Sequence, residues 1–359
     1  MGKLTGIGRY TYEVSKYLNS SDNFKVSYFY GYHSKNFIQT TKNTTSNIKK
    51  ILSKIPLLKR VVRKVIFLSS RLFTPSYSLY WQPNFIPNDG IKAKKIVTTV
   101  HDFSFIIHKG FHPKERIEYF EKYFFKNIIR SDMLITGSQY SKKEILERLD
   151  FKEDKIRVIY HGLDHNIFKI YKDINLNFDI PNKFILSVGS IEPRKNLLGL
   201  LKAYTSLSLD IKSEYKLVLV GFKGWKNNEL MELIDKNKDN IFYLGFINDI
   251  ELAKVYNLAT CFVFPSFYEG FGLPPLEAMA CNTPVIASNA TSIPEVCKDA
   301  AIYFNPNDIN SISQKIKMLL EDKNLQKEMT NKGLKRAKQF SWEKSANEHI
   351  KLFKEVLSS

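Results

Sequence analysis

The feature that most constrains the fold is a rhythm in the second half of the chain, where short apolar runs alternate with helix-compatible stretches. The runs fall at 183–189, 216–221, 241–245, 261–265, 284–288 and 301–304 and read as strands; 195–206, 227–235, 249–259 and 275–281 read as helices between them. Strands alternating with helices specify a parallel sheet covered by helices. Asn248 followed by Glu251 reads as a capping box, and Pro274 and Pro275 suit the first turn of a helix. The first half repeats the grammar more loosely, with strands at 25–30, 78–82, 95–100, 133–136 and 156–160 and a helix to about Leu149 capped by Ser141 with Glu144. The pattern lapses into polar residues between Gly162 and Pro181. We therefore expect two doubly wound α/β domains, 1–165 and 166–340, followed by an amphipathic helix that Ser341 caps, within 341–359. Such domains bind ligands at the carboxyl ends of their strands, so a cleft should open there.

One feature departs from that plan. A glycine-rich turn normally follows the first strand of a doubly wound domain, yet only Met1–Thr5 precede Gly6 and Gly8. A first strand is expected to be missing, and a start upstream of Met1 would supply it.

Composition narrows the class. With 359 residues, 43% of them hydrophobic and 13% aromatic, the chain can bury two ordinary cores and is not disordered. Cys261, Cys281 and Cys297 are scattered and lack the close pairs of a zinc site, which suits a reducing cytoplasm. No apolar run is long enough to cross a bilayer. The net charge of +18 is lopsided: residues 1–165 carry 29 basic and 14 acidic side chains, leaving only +3 for the rest. A field of that kind attracts nucleic acid, anionic lipid or an acidic substrate, and charge alone does not choose among them.

Four segments carry chemistry. From Glu269 to Glu277 the sequence is EGFGLPPLE: a strand enters a turn with Gly270 and Gly272, and two prolines launch a helix. Amides at such a turn suit phosphate or sugar oxygens, while the two carboxylates, which only accept hydrogen bonds, suit sugar hydroxyls. A plain helix entrance with incidental acids is the bland alternative. Glu192-Pro-Arg194-Lys195 follows a strand and precedes a helix, so its cations can neutralise a diphosphate, unless the loop is merely solvated. His101-Asp102 closes the strand 95–100; His101 could donate to a sugar oxygen, with Asp102 adjusting its charge or orientation. Gly6-Ile-Gly8-Arg9 forms a loop leading into a helix, where glycines let amides approach a phosphate.

Together these segments resemble the retaining glycosyltransferases of family 4, of the GT-B fold, over nearly the whole chain. The resemblance implies that Glu269 contacts the transferred sugar and Glu277 the donor ribose. It implies that Lys195 and Arg194 bind the pyrophosphate, with Gly270, Phe271, Gly272 and Leu273 completing the donor site. His101 matches the histidine beside the reacting sugar, Gly6 and Gly8 the loop near phosphates and acceptor, and the final helix one that crosses back to the first domain. VGSIEPRKN, EGFGLPPLEAMACNTPVIASN and SIPEV are similar to bacterial mannosyltransferase-like enzymes of surface polysaccharide synthesis. That implies hexosyl transfer with retention from a nucleotide diphosphate sugar, GDP-mannose ahead of a UDP-sugar, to a lipid-linked acceptor of O-antigen, capsule or exopolysaccharide. Asn282 stands where these relatives usually have glycine. No metal and no tightly bound cofactor are expected, because no Asp-x-Asp cluster occurs and cations replace it.

From Asn23 to Asn88 there is no acidic residue among 11 basic ones, and residues 47–71 place apolar side chains at helical spacing between lysines and arginines. That segment is expected to rest on the anionic inner face of the cell membrane, the alternatives being an ordinary domain helix with a basic exposed face and, behind both, nucleic acid. Two rival readings remain: a nucleotide-sugar epimerase on the same scaffold, and a truncated, non-catalytic membrane- or polyanion-binding remnant.

Overall fold

Parallel strands need long crossovers, and the helical stretches between the apolar runs supply them. A computed structural model describes residues 6–30, 33–37, 75–225 and 228–359. The first domain runs α1 (Gly6–Asn19), β1 (Tyr28–Phe29), β2 (His33–Ser34), β3 (Tyr77–Gln82), β4 (Ala93–Thr99), α2 (Ser104–Ile107), α3 (Lys114–Ile128), β5 (Met133–Thr136), α4 (Gln139–Arg148) and β6 (Ile156–Val158). Strands β3, β4, β5 and β6 form a parallel sheet in that order. The strand expected at 25–30 shrinks to β1, which pairs antiparallel with β2 apart from that sheet. Tyr28 and Phe29 are half-buried against the rings of Phe37 and His33 rather than within the main sheet. Residues 1–5, ahead of α1, lie outside the described residues, and so does the expectation of a missing first strand. The basic segment 47–71 lies outside the described residues.

The second domain runs β7 (Phe184–Val188), α5 (Leu197–Thr205), α6 (Leu209–Glu214), β8 (Lys216–Val220), α7 (Asn228–Lys236), β9 (Ile241–Gly245), α8 (Asp249–Leu258), β10 (Cys261–Phe264), α9 (Leu273–Ala280), β11 (Val285–Ser288), α10 (Ile293–Cys297), β12 (Ala301–Phe304), α11 (Ile309–Glu321) and α12 (Lys323–Ala337). Its six strands are parallel in the order β12-β11-β10-β7-β8-β9. Numbered from β7, that is the 3-2-1-4-5-6 order of a doubly wound sheet, whose switch point lies between β7 and β10.

The apolar runs are continuous because both faces of this sheet are buried. Phe184 and Leu186 of β7 join one core with Val218, Phe262 and Leu276, while Ile185 joins the other with Leu217, Val263 and Leu200. In the first domain Phe85, Phe103, Phe105, Phe120 and Phe124 fill one face. The other face is covered by α1 and by α13 (Trp342–Ser358), which crosses back from the second domain and packs Trp342, Leu352 and Phe353 against Tyr10, Val97 and Ile135. Asn282 adopts φ 67°, a left-handed conformation that asparagine tolerates. The glycine usual in similar sequences and the asparagine here therefore meet the same backbone requirement.

Several local expectations are corrected. The cap of α4 is Ser138, whose Oγ accepts the Ser141 amide, and not Ser141. Glu144 is buried and serves another partner. Lys195 does not open α5: it ends a tight 3-10 turn, Pro193–Lys195, and Asn196 at φ 51° breaks the chain before Leu197. Gly6 and Gly8 lie in the first turn of α1 itself rather than in a loop ahead of it. The capping box at Asn248 and Glu251 and the Ser341 cap form as expected.

Candidate active site

The loops after β7 and β10 flank the switch point, where a doubly wound sheet leaves its ligand crevice. The first supplies Arg194 and Lys195, the second Glu269, and the Phe267 amide donates to the Arg194 carbonyl at 3.0 Å to tie them together. Lys195 Nζ lies 2.6 Å from Glu269 Oε1 and Arg194 Nη1 2.8 Å from Oε2. Arg194 also donates to the Tyr268 carbonyl and, through Nη2, to Glu192 Oε1 at 3.0 Å. Burial alone would raise the Glu269 carboxyl. Arg194 and Lys195, with hydrogen bonds from Lys195 and Ser266, outweigh it and hold the group at about 2. Burial, with the neighbouring Arg194, lowers Lys195; burial also lowers Arg194, but Glu269, Asp102 and Glu192 reverse it and leave Arg194 raised. The result is a buried, fully ionised triad at the mouth of the crevice.

Gly270 carries the turn against the first domain. A Cβ there would stand 2.0 Å from the His101 carbonyl oxygen, so only glycine allows the approach. Gly272 at φ 106° turns the chain into α9. Phe271, expected at the donor, instead buries its ring against His161, Tyr160 and Phe340, so only its backbone remains to face a ligand. Leu273 opens α9 and packs partly into the cores on either side.

His101 sits at the carboxyl end of β4 as expected, but its chemistry differs from the expectation. Its Nε2 lies 2.8 Å from the Pro83 carbonyl, which can only accept, so Nε2 carries the proton and Nδ1 is left as an acceptor. Burial lowers its pKa, only partly offset by the Pro83 bond and Asp102, so the ring is neutral. A neutral His101 with that tautomer accepts from a hydroxyl rather than donating to an oxygen. Asp102 acts on its charge, raising its pKa, rather than through a hydrogen bond: Asp102 Oδ1 accepts the Ser104 amide and hydroxyl at 2.9 and 2.7 Å.

Glu277 lies one turn into α9, apart from the triad. Its Oε1 pairs with Arg9 at 3.2 Å and its Oε2 accepts from Tyr256 at 3.2 Å, while Arg9 also reaches Asp249 at 2.6 Å. Gly6 and Gly8 precede Arg9 on the same turn of α1, and Ile7 and Gly8 also line a cavity of about 1030 Å³ that runs along β3 past Tyr28, Trp81 and Phe353. Sequence reading missed Arg9, Tyr256 and Asp249, because their partners lie up to 268 positions away. Arg9 next to the glycine pair was the one signal available.

The sequence matches known proteins over nearly the whole chain. The family model for glycosyltransferase family 4 matches residues 4–167, and that for glycosyl transferases group 1 matches residues 171–336. The O-antigen chain mannosyltransferase B of Escherichia coli is 34% identical over 371 residues, covering 98% of this chain and 96% of its own. The chain belongs to glycosyltransferase family 4. The serotype-specific mannosyltransferase WbdA of Escherichia coli is 32% identical over 76% of this chain and 35% of its own. Among solved structures, sucrose-phosphate synthase from Thermosynechococcus elongatus aligns with a TM-score of 0.61 at 26% identity, over 74% of this chain and 68% of its own. Anabaena Alr3699/HepE in complex with UDP shares the fold, with a TM-score of 0.64 at 16% identity over 99% and 98% of the two chains.

As in other GT-B glycosyltransferases, the two domains face each other, and here a polar seam joins them. Glu295 of α10 accepts the Gln139 and Tyr140 amides at 2.7 and 3.0 Å, capping α4 from across the cleft. Ser138 donates to the Gly270 carbonyl at 2.8 Å, and Trp225 donates to the Phe111 carbonyl at 2.6 Å. Tyr268 receives the Phe103 amide at 2.9 Å and donates to Glu144. Among the described residues no three metal-ligating side chains cluster, and no helix is long and apolar enough to cross a membrane.

Proposed function

We propose that this glycosyltransferase moves a mannosyl unit, with retention, from a nucleotide diphosphate sugar to a lipid-linked saccharide in the synthesis of O-antigen or a related surface polysaccharide. GDP-mannose is the favoured donor, ahead of a UDP-sugar. The observation that carries the reading is the ionised triad of Glu269, Arg194 and Lys195 at the switch point. The similarity to O-antigen and serotype-specific mannosyltransferases supports the sugar and the pathway class.

In this reading residues 166–340 hold the donor and residues 1–165, with 341–359, hold the acceptor. Lys195 and Arg194 take up the negative charge that develops on the leaving diphosphate, in a site already oriented for it. Glu269 gives up part of its cation contacts to hold sugar hydroxyls, and His101 accepts from the sugar or acceptor through Nδ1. Glu277 holds the ribose, the backbone of Gly270, Phe271, Gly272 and Leu273 lines the donor, and Gly6 and Gly8 approach the phosphates. The acceptor attacks from the leaving-group face, because Glu269 is bound to two cations and makes a poor covalent nucleophile. No metal is required, since cations already stand where one would act. The aromatic cavity beside β3 offers an acceptor seat. The enzyme works in the cytoplasm, held peripherally on the membrane through residues 47–71.

The deciding experiment incubates the protein with GDP- and UDP-sugars and lipid acceptor extract, presented in anionic or in neutral vesicles. Transfer of mannose from GDP-mannose, faster on anionic vesicles, is expected. A new sugar nucleotide formed without acceptor would replace the reading with an epimerase; no turnover despite donor binding would replace it with a remnant; equal rates on both vesicles would remove the membrane contact.

A further inference from the structure

Arg9 stands on the first domain and works on the second. Its guanidinium, 13% exposed, spans Asp249 Oδ1 and Glu277 Oε1, with its carbon 5.5 Å from the centre of the Phe168 ring. Glu277 is thereby gripped on both oxygens, by Arg9 from α1 and by Tyr256 from α8. An ionised carboxylate offers about four lone-pair sites, so about two stay open, enough for a vicinal diol. The grip also sets the charge. Burial raises the Glu277 pKa and Asp249 adds to it; Arg9 is the first opposing influence and the Tyr256 hydroxyl the second. Cys281, at the end of the same helix, is itself raised by burial and by Glu277, and so stays a neutral thiol.

We propose that Arg9 is a positioning residue for the donor: by pairing across the cleft it holds Glu277 aimed at the nucleotide's ribose hydroxyls. Because Arg9 belongs to the first domain, donor recognition is complete only when the domains are together, and ribose binding and closure are coupled. The inference rests on Glu277 being the ribose acceptor. A lysine in its place would keep a charge but could not bridge two carboxylates with a planar fork.

The test compares wild type, R9K, R9Q, E277Q and the R9Q/E277Q double variant by calorimetric titration with GDP, UDP and their 2′,3′-dideoxy forms, and by donor kinetics. R9Q should weaken binding of the ribose nucleotide by about tenfold or more, as loss of a charge-assisted contact does, with R9K between it and wild type. The loss should appear in donor KM rather than kcat, be absent with the dideoxy nucleotide, and nearly vanish in the E277Q background. In R9Q, Glu277 loses the cation that opposes its raised pKa, so the pH below which donor KM worsens should lie higher in R9Q than in wild type. A merely structural Arg9 would lower stability without that pH profile. R9Q binding within about twofold of wild type, or an equal loss on E277Q, overturns the proposal. If R9Q does not fold, a wild-type-like R9K together with an E277Q that tells ribose from dideoxyribose as wild type does would also overturn it. Failure of the functional reading looks different: wild type would transfer no sugar while R9Q still weakened nucleotide binding. If wild type binds neither nucleotide, both readings fall.

Discussion

Glu269, Arg194 and Lys195 show how individual residues divide the work of one site. A buried carboxylate alone would be costly, and two cations alone would be worse; together each is satisfied at 2.6 to 2.8 Å. Lys195 is the more dispensable for folding, since Arg194 keeps Glu269 paired and also holds Glu192 and the Tyr268 carbonyl. K195A should therefore leave a folded protein whose kcat falls by roughly 10²–10³, with a smaller change in donor KM, because the lost charge acts mainly on the departing diphosphate. Steady-state transfer of labelled sugar measures this; a loss confined to KM would assign Lys195 to ground-state binding. These three residues were legible in the sequence because they lie just past the carboxyl ends of two strands, β7 and β10, of a recognisable sheet. Arg9 was not, since nothing local tells that a surface-type residue in α1 will be buried by Asp249 and Glu277. His101 was legible as a position, but its tautomer depended on the Pro83 carbonyl, 18 residues away.

At the scale of elements, α13 is joined to the first domain by a chain of hydrogen bonds whose direction is fixed. The Trp81 indole can only donate, at 3.0 Å to Thr99; Thr99 donates to Tyr10 at 3.0 Å, and Tyr10 donates to His349 Nε2 at 2.6 Å. His349 Nδ1 then donates to the Ser345 carbonyl at 2.7 Å. Burial drives the His349 pKa down to about 4, so the ring stays a neutral acceptor for Tyr10. Y10F removes the donor and strands Nε2, which should destabilise the native state by about 1–3 kcal/mol and speed hydrogen exchange first in α13. Urea unfolding and exchange measurements check this; unchanged exchange in α13 would mean that apolar packing alone docks the helix. Capping was mostly readable at this scale, as Asn248 and Ser341 show. It failed at α4, where Ser138 and Ser141 both precede the apolar run. There Glu144 imitates a capping partner but is drawn off by Tyr268, a choice made by the fold and not by the segment.

For the molecule as a whole, the seam that unites the domains contains a titrating group. Glu144 is buried beside the cleft, and burial lifts its carboxyl to about 7, against the ordinary 4.5, although the Tyr268 hydroxyl and Arg148 pull it back. The native state therefore binds more protons than the unfolded chain between those values. Stability from this group is complete below about pH 4.5 and is lost as pH rises through about 7. The buried histidines work in the opposite sense: His101, His161 and His349 have lowered pKa values, so their neutral forms cost stability as pH falls below the ordinary histidine range. The two effects overlap, and the difference between wild type and E144Q isolates the carboxylate. Chemical unfolding from pH 4.5 to 8 should show wild type losing on the order of 1–2 kcal/mol relative to E144Q, a figure reduced for water that reaches the cleft. Because Tyr268 neighbours Glu269 and Glu144 stands on α4, the loss should fall on closure before it falls on either core. Hydrolysis of donor by water, relative to transfer, should then rise with pH in wild type and stay level in E144Q. A wild-type minus E144Q difference that is flat across that range would show that Glu144 does not change its charge there, and that any pH dependence of the seam comes from other groups.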